Sequence, residues 1–317
     1  MNVLLLLFML SLYRMQQIHI VTLNLANVAG LNGKVEYGAM DESEDRATLV
    51  ARTVSNINPV PDLIAFQEDF HDEAAEELFN RLPSQLKEQY RDNRIGALFI
   101  GANSGLAVAS RFSIINKQEM DYSIYGGDST LSSKGLRGGK LVIPKELRDH
   151  GMPHYIWYFN THLNAGGDNL WYKLLGIIRR WGVLIHSYSA NQIRYLQLTE
   201  ARDFIAKVTG DDNYPVFLGG DFNTPADATN EFFTIPFTDR SIARSDTIRA
   251  IFGDVDTYDG PSGMGTEWNN KPNKRIDYIL WLRKGDSNIT ATSKILSQFT
   301  DKMTDHKGVE LQITAYR

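Results

Sequence analysis

The sequence predicts an α/β protein, and three observations predict it. Short apolar runs rich in β-branched and aromatic residues recur along the chain. Between them lie longer segments whose apolar residues return at helical spacing. The 317 residues are 43% apolar, enough for a substantial core. A net charge of −5 argues against a general polyanion binder, which carries a basic surface. It does not exclude a nuclease, because local charge governs binding. The absence of cysteine rules out disulfides and cysteine–zinc sites and leaves the compartment open.

The N-terminal run from Val3 to Leu12 is shorter than the ~20 residues that span a bilayer. Its length suits a secretory signal core, but no basic residue precedes it, no small-x-small site follows, and Met15 is an alternative start. The expectation is a leader over residues 1–14 and a single domain over 15–317, secreted or membrane-associated, or cytoplasmic if the leader is not a signal. A monomer is expected.

In chain order, Ile18 to Leu25 reads as a strand with Asn24 near its end, and the Gly-rich Val28 to Asp41 as a loop. Ala47, Val50, Ala51, Val54 and Ile57 predict a helix over 42–58, stopped by Pro59 and Pro61. Asp62 to Glu68 is a buried strand. Residues 72–90 read as a second helix, with Ala74, Leu78, Phe79 and Leu82 on one side. Short strands follow at 97–100, 106–109 and 112–115, then a long loop over 121–139. Tyr155 to His162 is a strand, 194–208 a helix, and Pro215 to Leu218 a buried strand whose following glycines predict a tight turn. Strands at 275–281 and 309–313 complete the series.

Polar residues gather at the ends of these strands: Asn24, Glu68, His162, Asp221 with Asn223, and Asp305 with His306, while Asp277 lies within one. Singly, each reads as a cap, a turn or a satisfied core group. Jointly they suggest a site, since the strands of a sheet system can deliver their ends to one rim.

The motifs that carry these residues are Thr22-Leu23-Asn24, Asp62-Leu63-Ile64-Ala65-Phe66-Gln67-Glu68, Gly105 to Arg111, Asn160-Thr161-His162-Leu163, Gly220-Asp221-Phe222-Asn223, Arg275-Ile276-Asp277-Tyr278-Ile279 and Asp305-His306. Their order and span resemble the endonuclease/exonuclease/phosphatase superfamily. The resemblance implies a four-layer α/β-sandwich, two mainly antiparallel sheets packed face to face with helices outside. It also implies a phosphodiester hydrolase. Glu68 would hold a metal with Asn24 in support and Asp305 adding a contact. His306 would be the general base, oriented by Asp277. Asp221 and Asn223 would position water or a phosphoryl oxygen, and His162 would bond the phosphate or protonate the leaving group. Oxygen ligands without cysteine suit Mg²⁺, with Mn²⁺ or another divalent cation as a substitute. Leu23 departs from the Trp that many relatives carry there.

For the substrate, a lipid head group is expected first, as in neutral sphingomyelinases, with DNA as the alternative and an inositol phosphate third. Arg194-Tyr195-Leu196-Gln197-Leu198 is similar to a helix of that branch, and Asp128 to Gly135, with Lys134, resembles its Asp…Lys-Gly loop. Between His162 and that helix, residues 169–185 place Trp171, Leu174, Leu175, Ile178 and Ile185 on one helical face, with Lys173, Arg179 and Arg180 largely off it. This reads first as a helix packed on the domain, and second as a membrane contact through 170–185. A nuclease would need a basic groove, for which Lys271, Lys274 and Arg275 near Trp268 are the candidates. Gly265-Thr266-Glu267-Trp268 is similar to a Thr-Trp segment preceding the Asp277 strand in relatives, and Asn288-Ile289-Thr290 is a glycosylation sequon.

Overall fold

A computed structural model describes residues 17–27, 46–70, 72–92, 104–124, 133–165, 188–225, 231–261, 264–267, 274–301 and 303–316. The expected leader, the 28–41 loop, the 97–100 strand, the 169–185 segment, Trp268 and Lys271 lie outside the described residues.

The strands are β1 (Gln17–Asn27), β2 (Leu63–Asp69), β3 (Glu88–Arg91), β4 (Ala107–Ser110), β5 (Ile114–Asp121), β6 (Gly135–Val142) and β7 (Tyr155–His162), followed by β8 (Val216–Asp221), β9 (Phe232–Thr234), β10 (Ser241–Ala243), β11 (Asp277–Arg283), β12 (Ile289–Leu296) and β13 (Gly308–Ala315). The helices are α1 (Arg46–Asn56), α2 (Asp72–Arg81), α3 (Lys145–Arg148), α4 (Ala190–Thr209) and α5 (Thr247–Phe252). One sheet has the order β12-β13-β1-β2-β4-β3 and the other β11-β8-β7-β6-β5, with β9 and β10 forming a separate hairpin. Each large sheet is antiparallel except for one pair, β1 with β2 and β7 with β8.

Alternation along the strands builds the layers. Ile18, Ile20, Leu63 and Ala65 face Ile156, Tyr158, Phe217 and Ile279 between the sheets. The opposite face of the first sheet, with Val21, Leu23, Ile64 and Phe66, packs on Val50, Val54, Leu78 and Phe79 of α1 and α2. The opposite face of the second, with Trp157, Phe159 and Leu218, packs on Leu198, Ala201, Ile205 and Ile251 of α4 and α5. The result is the four-layer α/β-sandwich expected.

A buried polar bridge crosses the apolar middle directly below the rim. Gln67 Nε2 on β2 donates to Asn160 Oδ1 on β7 at 2.6 Å and to Thr22 Oγ1 at 2.9 Å. Asn160 Nδ2 returns a bond to Phe66 O at 2.8 Å. All three side chains are fully buried. Both bridging amides sit within two residues of a site candidate, Gln67 before Glu68 and Asn160 before His162.

Several elements differ from expectation. The second helix ends at Arg81 rather than residue 90, because Pro83 has no N–H to continue it, and Glu88–Arg91 pairs with β4 instead. The expected 121–139 loop gives up its end to β6. Arg137 in that strand is buried, and its guanidinium reaches Asp92 at 3.0 Å and Asp121 at 2.8 Å. Gly219 and Gly220 form no turn; they lie inside β8. A Cβ on Gly219 would stand 2.3 Å from the Tyr158 hydroxyl, and one on Gly220, whose φ is +138°, 1.9 Å from Thr161 O. Their bareness lets β7 lie against β8.

An Asn160→Leu variant should lose about 1–3 kcal/mol of stability, since it removes one of the two acceptors of the buried Gln67 amide and the side-chain donor to Phe66 O. The urea midpoint should fall with an unchanged slope.

Candidate active site

Strand register assembles the second sheet's contribution. Gly135 pairs with His162, His162 with Asp221, and Asp221 with Asp277, one row across four strands. Side chains in one row share a face, and Asn160, Phe217 and Ile279, each two or four residues from this row, face the opposite sheet. His162, Asp221 and Asp277 therefore project from the rim toward the first sheet.

The first sheet answers with Asn24, Glu68 and the segment before β13. Asn24 Nδ2 donates to Asp221 Oδ2 at 2.9 Å across the gap, while its Oδ1 accepts from Ala26 N at 2.8 Å. Glu68 breaks the alternation of β2. Ile64 and Phe66 face the helices, and a period of two would send Glu68 there as well. Its φ of +58° turns the side chain back, and Oε1 lies 3.6 Å from His162 Nε2. A left-handed glutamate is costly and is retained where surrounding structure fixes it. Arg46 at the start of α1 donates to the carbonyls of Leu25 and Ala26, and its charge acts on Asp305 and Glu68.

His306 Nδ1 is bonded to Asp277 Oδ2 at 2.8 Å. Its Nε2 faces the cleft, 3.8 Å from Asp221 Oδ2 and 3.7 Å from Asp305 Oδ1. The backbone is pinned from three sides. Thr304 Oγ1 accepts from His306 N at 3.1 Å and donates to Asn24 O at 2.6 Å. Thr266 Oγ1 accepts from Asp277 N at 3.2 Å, and Glu267 bridges to His306. Asn223 caps the end of β8: its N–H donates to Asp221 Oδ1 at 2.8 Å and its Nδ2 to Leu163 O at 3.2 Å.

All eight predicted residues thus meet at one rim. Two that the strand-end pattern did not select join them. Lys134, which the loop resemblance touched without assigning to the site, is buried with Nζ 2.9 Å from both ring nitrogens of His162. It immediately precedes β6, a strand hidden by glycines and charges. Thr304 carried no signal beyond its place two residues before His306.

Burial and neighbours divide the charges. Burial, then Lys134 and His306, hold the His162 cation well below the usual histidine range, so its ring is neutral. Burial also works against a charged His306, but Asp277, Asp221 and Asp305 outweigh it and raise its pKa well above the usual value. Burial and the Asp277 carboxylate push Asp221 up to about 7. Burial raises Glu68 as well.

Two groups of atoms could receive a cation. Ligand atoms of Asp221, Asp277 and His306 lie within 4.8 Å of one another, but Asp277 and His306 already bind each other. Glu68 and Asp305 form the second group. They are close enough to act on each other electrostatically, and Asp305 Oδ1 is buried and accepts no hydrogen bond from the described residues. An orphaned carboxylate oxygen beside a second carboxylate, with no sulfur ligand near, fits a hard divalent cation.

A rim of acid, amide and imidazole side chains on a double-sheet sandwich defines a class of site that handles phosphate esters. Residues 24–283 match the model of the Endonuclease/Exonuclease/phosphatase family, and the chain belongs to that family. Membership supports a hydrolase acting on phosphoester bonds. Beta toxin of Staphylococcus aureus, in a mutant with bound magnesium ions, is similar at a TM-score of 0.64 and 16% identity, over 95% of this chain and 100% of that one. Sphingomyelinase C from Streptomyces griseocarneus is similar at a TM-score of 0.64 and 15% identity, over 95% and 100%. At these identities the likeness is one of fold. An uncharacterized protein of Dictyostelium discoideum is 28% identical over 189 residues, covering 57% of this chain. The chain spans only 15% of the length of that curated relative.

In a histidine NMR titration, His306 should keep its ring proton to higher pH than a free histidine, and Asp277→Asn should bring that titration down. His162 should show no protonation through the same neutral range.

Proposed function

We propose that this chain is a divalent-cation-dependent phosphodiesterase whose preferred substrate is a phospholipid of the sphingomyelin type. The observation that carries the reaction class is the Asp277–His306 pair. Its Nδ1 is held by a carboxylate, and its Nε2 opens toward Asp221 and Asp305. That is the arrangement of a general base with a fixed tautomer.

The roles follow from charge and placement. Glu68 and Asp305, with Asn24 holding Asp221 beside them, would bind the cation, with Mg²⁺ the first choice. When bound, it supplies positive charge to the phosphate oxygens. His306 Nε2 takes the proton of the attacking water, and Asp277 stabilises the imidazolium that results. Asp221 and Asn223 orient the water or a phosphoryl oxygen. The neutral ring of His162 is better suited to hydrogen-bond the phosphate than to act as an acid. Lys134 holds that ring and adds a positive charge beside it.

Two observations favour a lipid over DNA. Lys134, from the segment resembling the sphingomyelinase loop, stands directly on His162. Of the basic residues a DNA groove would use, Arg275 is already committed: it pairs with Asp256 at 2.5 Å and stacks on Tyr258 and Tyr278. Secretion and a membrane contact through 170–185 remain part of this proposal.

Purified protein with Mg²⁺ should release phosphocholine from sphingomyelin vesicles and leave supercoiled plasmid intact, with EDTA stopping the reaction. Plasmid nicking without phosphocholine would replace the lipid with DNA. Glu68→Ala should abolish turnover, and His306→Ala should lower kcat by about 10²–10⁴-fold while the protein stays folded. Because His306 must be neutral to act, the rate should rise with pH through its raised pKa. Asp277→Asn lowers that pKa, so the acid limb of the kcat/KM profile should move to lower pH while the plateau falls. An unmoved limb would remove His306 from the base role.

A further inference from the structure

Among the described residues, the two large apolar side chains most open to solvent are Phe237 and Phe232, 83% and 69% exposed. Both belong to the β9–β10 hairpin, in which Thr234 pairs with Ser241 and Phe232 with Ala243. The hairpin's inner side is ordinary packing: Phe233 is buried and meets Tyr195 edge-on at 6.2 Å. Its outer side and its tip are what the fold leaves unexplained.

The tip is also strained. Thr238 N donates to Ile235 O at 3.1 Å, closing a four-residue turn with Pro236 second and Phe237 third. Phe237 has a φ of +64°. A turn with proline second and positive φ third favours glycine or asparagine at that third place. A phenylalanine there is a steric outlier, and it is not offset by burial. The only ring it meets among the described residues is Tyr188, at 6.2 Å.

The hairpin sits at the catalytic rim. Arg244, directly after β10, donates Nη2 to Asn223 O at 3.2 Å. Gln192 near the start of α4 donates to Thr234 O at 2.9 Å, and Arg194 in the same turn donates to Asn164 O, two residues beyond His162, at 2.9 Å. The exposed Asp239 and Arg240 follow Phe237 and carry opposite charges. Aromatic side chains beside charges of both signs on one small projection match the boundary between zwitterionic lipid head groups and acyl chains.

We propose that the β9–β10 hairpin is a lipid-surface contact, with Phe232 and Phe237 entering the membrane interface and holding the catalytic rim against it. This deepens, and rests on, the reading of the substrate as a membrane phospholipid. Pro236 and the strained Phe237 backbone fix the ring outward, so that no ordering is needed on contact.

The test is flotation with vesicles of phosphatidylcholine and sphingomyelin in EDTA, which halts turnover. Wild-type protein should float, and a Phe232→Ser, Phe237→Gly variant should lose association by about tenfold or more for each phenylalanine removed. Phe237→Gly alone should melt no lower than wild type, because glycine relieves the turn, and should still bind vesicles less well. Hydrolysis of a soluble phosphodiester should be unchanged in both variants. Equal flotation of wild type and double variant, or no flotation of wild type, overturns the proposal. So does a wild-type dimer that becomes monomeric on substitution without any vesicle association. Flotation without phosphocholine release in Mg²⁺ would retain the surface contact and sink the lipid-hydrolase reading; phosphocholine release with equal flotation of both proteins would do the reverse.

Discussion

The close approach of β7 and β8 is the constraint on which the rim depends. Gly219 and Gly220 offer no side chain where Tyr158 and the Thr161 carbonyl stand, 2.3 and 1.9 Å from any Cβ that would be added. Only with that contact made does His162 fall in register with Asp221, and Asp221 with Asp277. The Gln67–Asn160 bridge then fixes how far the opposite sheet, with Glu68 and Asn24, stands from this row. Backbone sterics set one half of the site and a buried amide pair sets its distance from the other.

The electrostatics follow from that geometry rather than from composition. Four carboxylates, two imidazoles and a lysine share a space from which water is largely excluded, so each group's charge depends on its neighbours. Burial, reinforced by Lys134, lowers the pKa of His162, while three carboxylates outweigh burial at His306 and raise its pKa, which drives the two histidines apart. Separation of this kind gives two imidazoles in one cleft opposite protonation behaviour, which is how one residue type can serve two purposes in a site.

The strands that end on candidate site residues were legible because they alternate cleanly: Tyr155 to His162 is read to the residue, and β1 and β2 nearly so. Their gathering at one rim was legible from the shared pattern of ends. Four features were not. Strand β6 is written in glycine and buried charge, since Arg137 has its carboxylates supplied from distant segments, and sequence does not show those partners. Strand β12 sets Thr290, Thr292 and Lys294 against Ile289, Ala291, Ser293 and Ile295, and with alanine and serine on the inward side the period is too weak to separate from a loop. The turned-back Glu68 could be named as a site residue, but nothing in Phe66-Gln67-Glu68 announces a left-handed backbone. The glycines after Leu218 were read as a turn because glycine permits both turning and close approach, and only the neighbouring strand decides between them.

The pairing of β1 with β13, from Gln17 against Thr314 to Thr22 against Val309, has a consequence for synthesis. Strand β1 lies between β13 and β2, so during synthesis one of its edges and part of its apolar face stay open until β13 has followed. His306 arrives just before that strand. The nascent chain therefore carries an adhesive strand edge from the emergence of β1 until that of β13, and the closing of the first sheet and the arrival of His306 at the rim fall together, which ties chaperone demand and completion of the rim to one event.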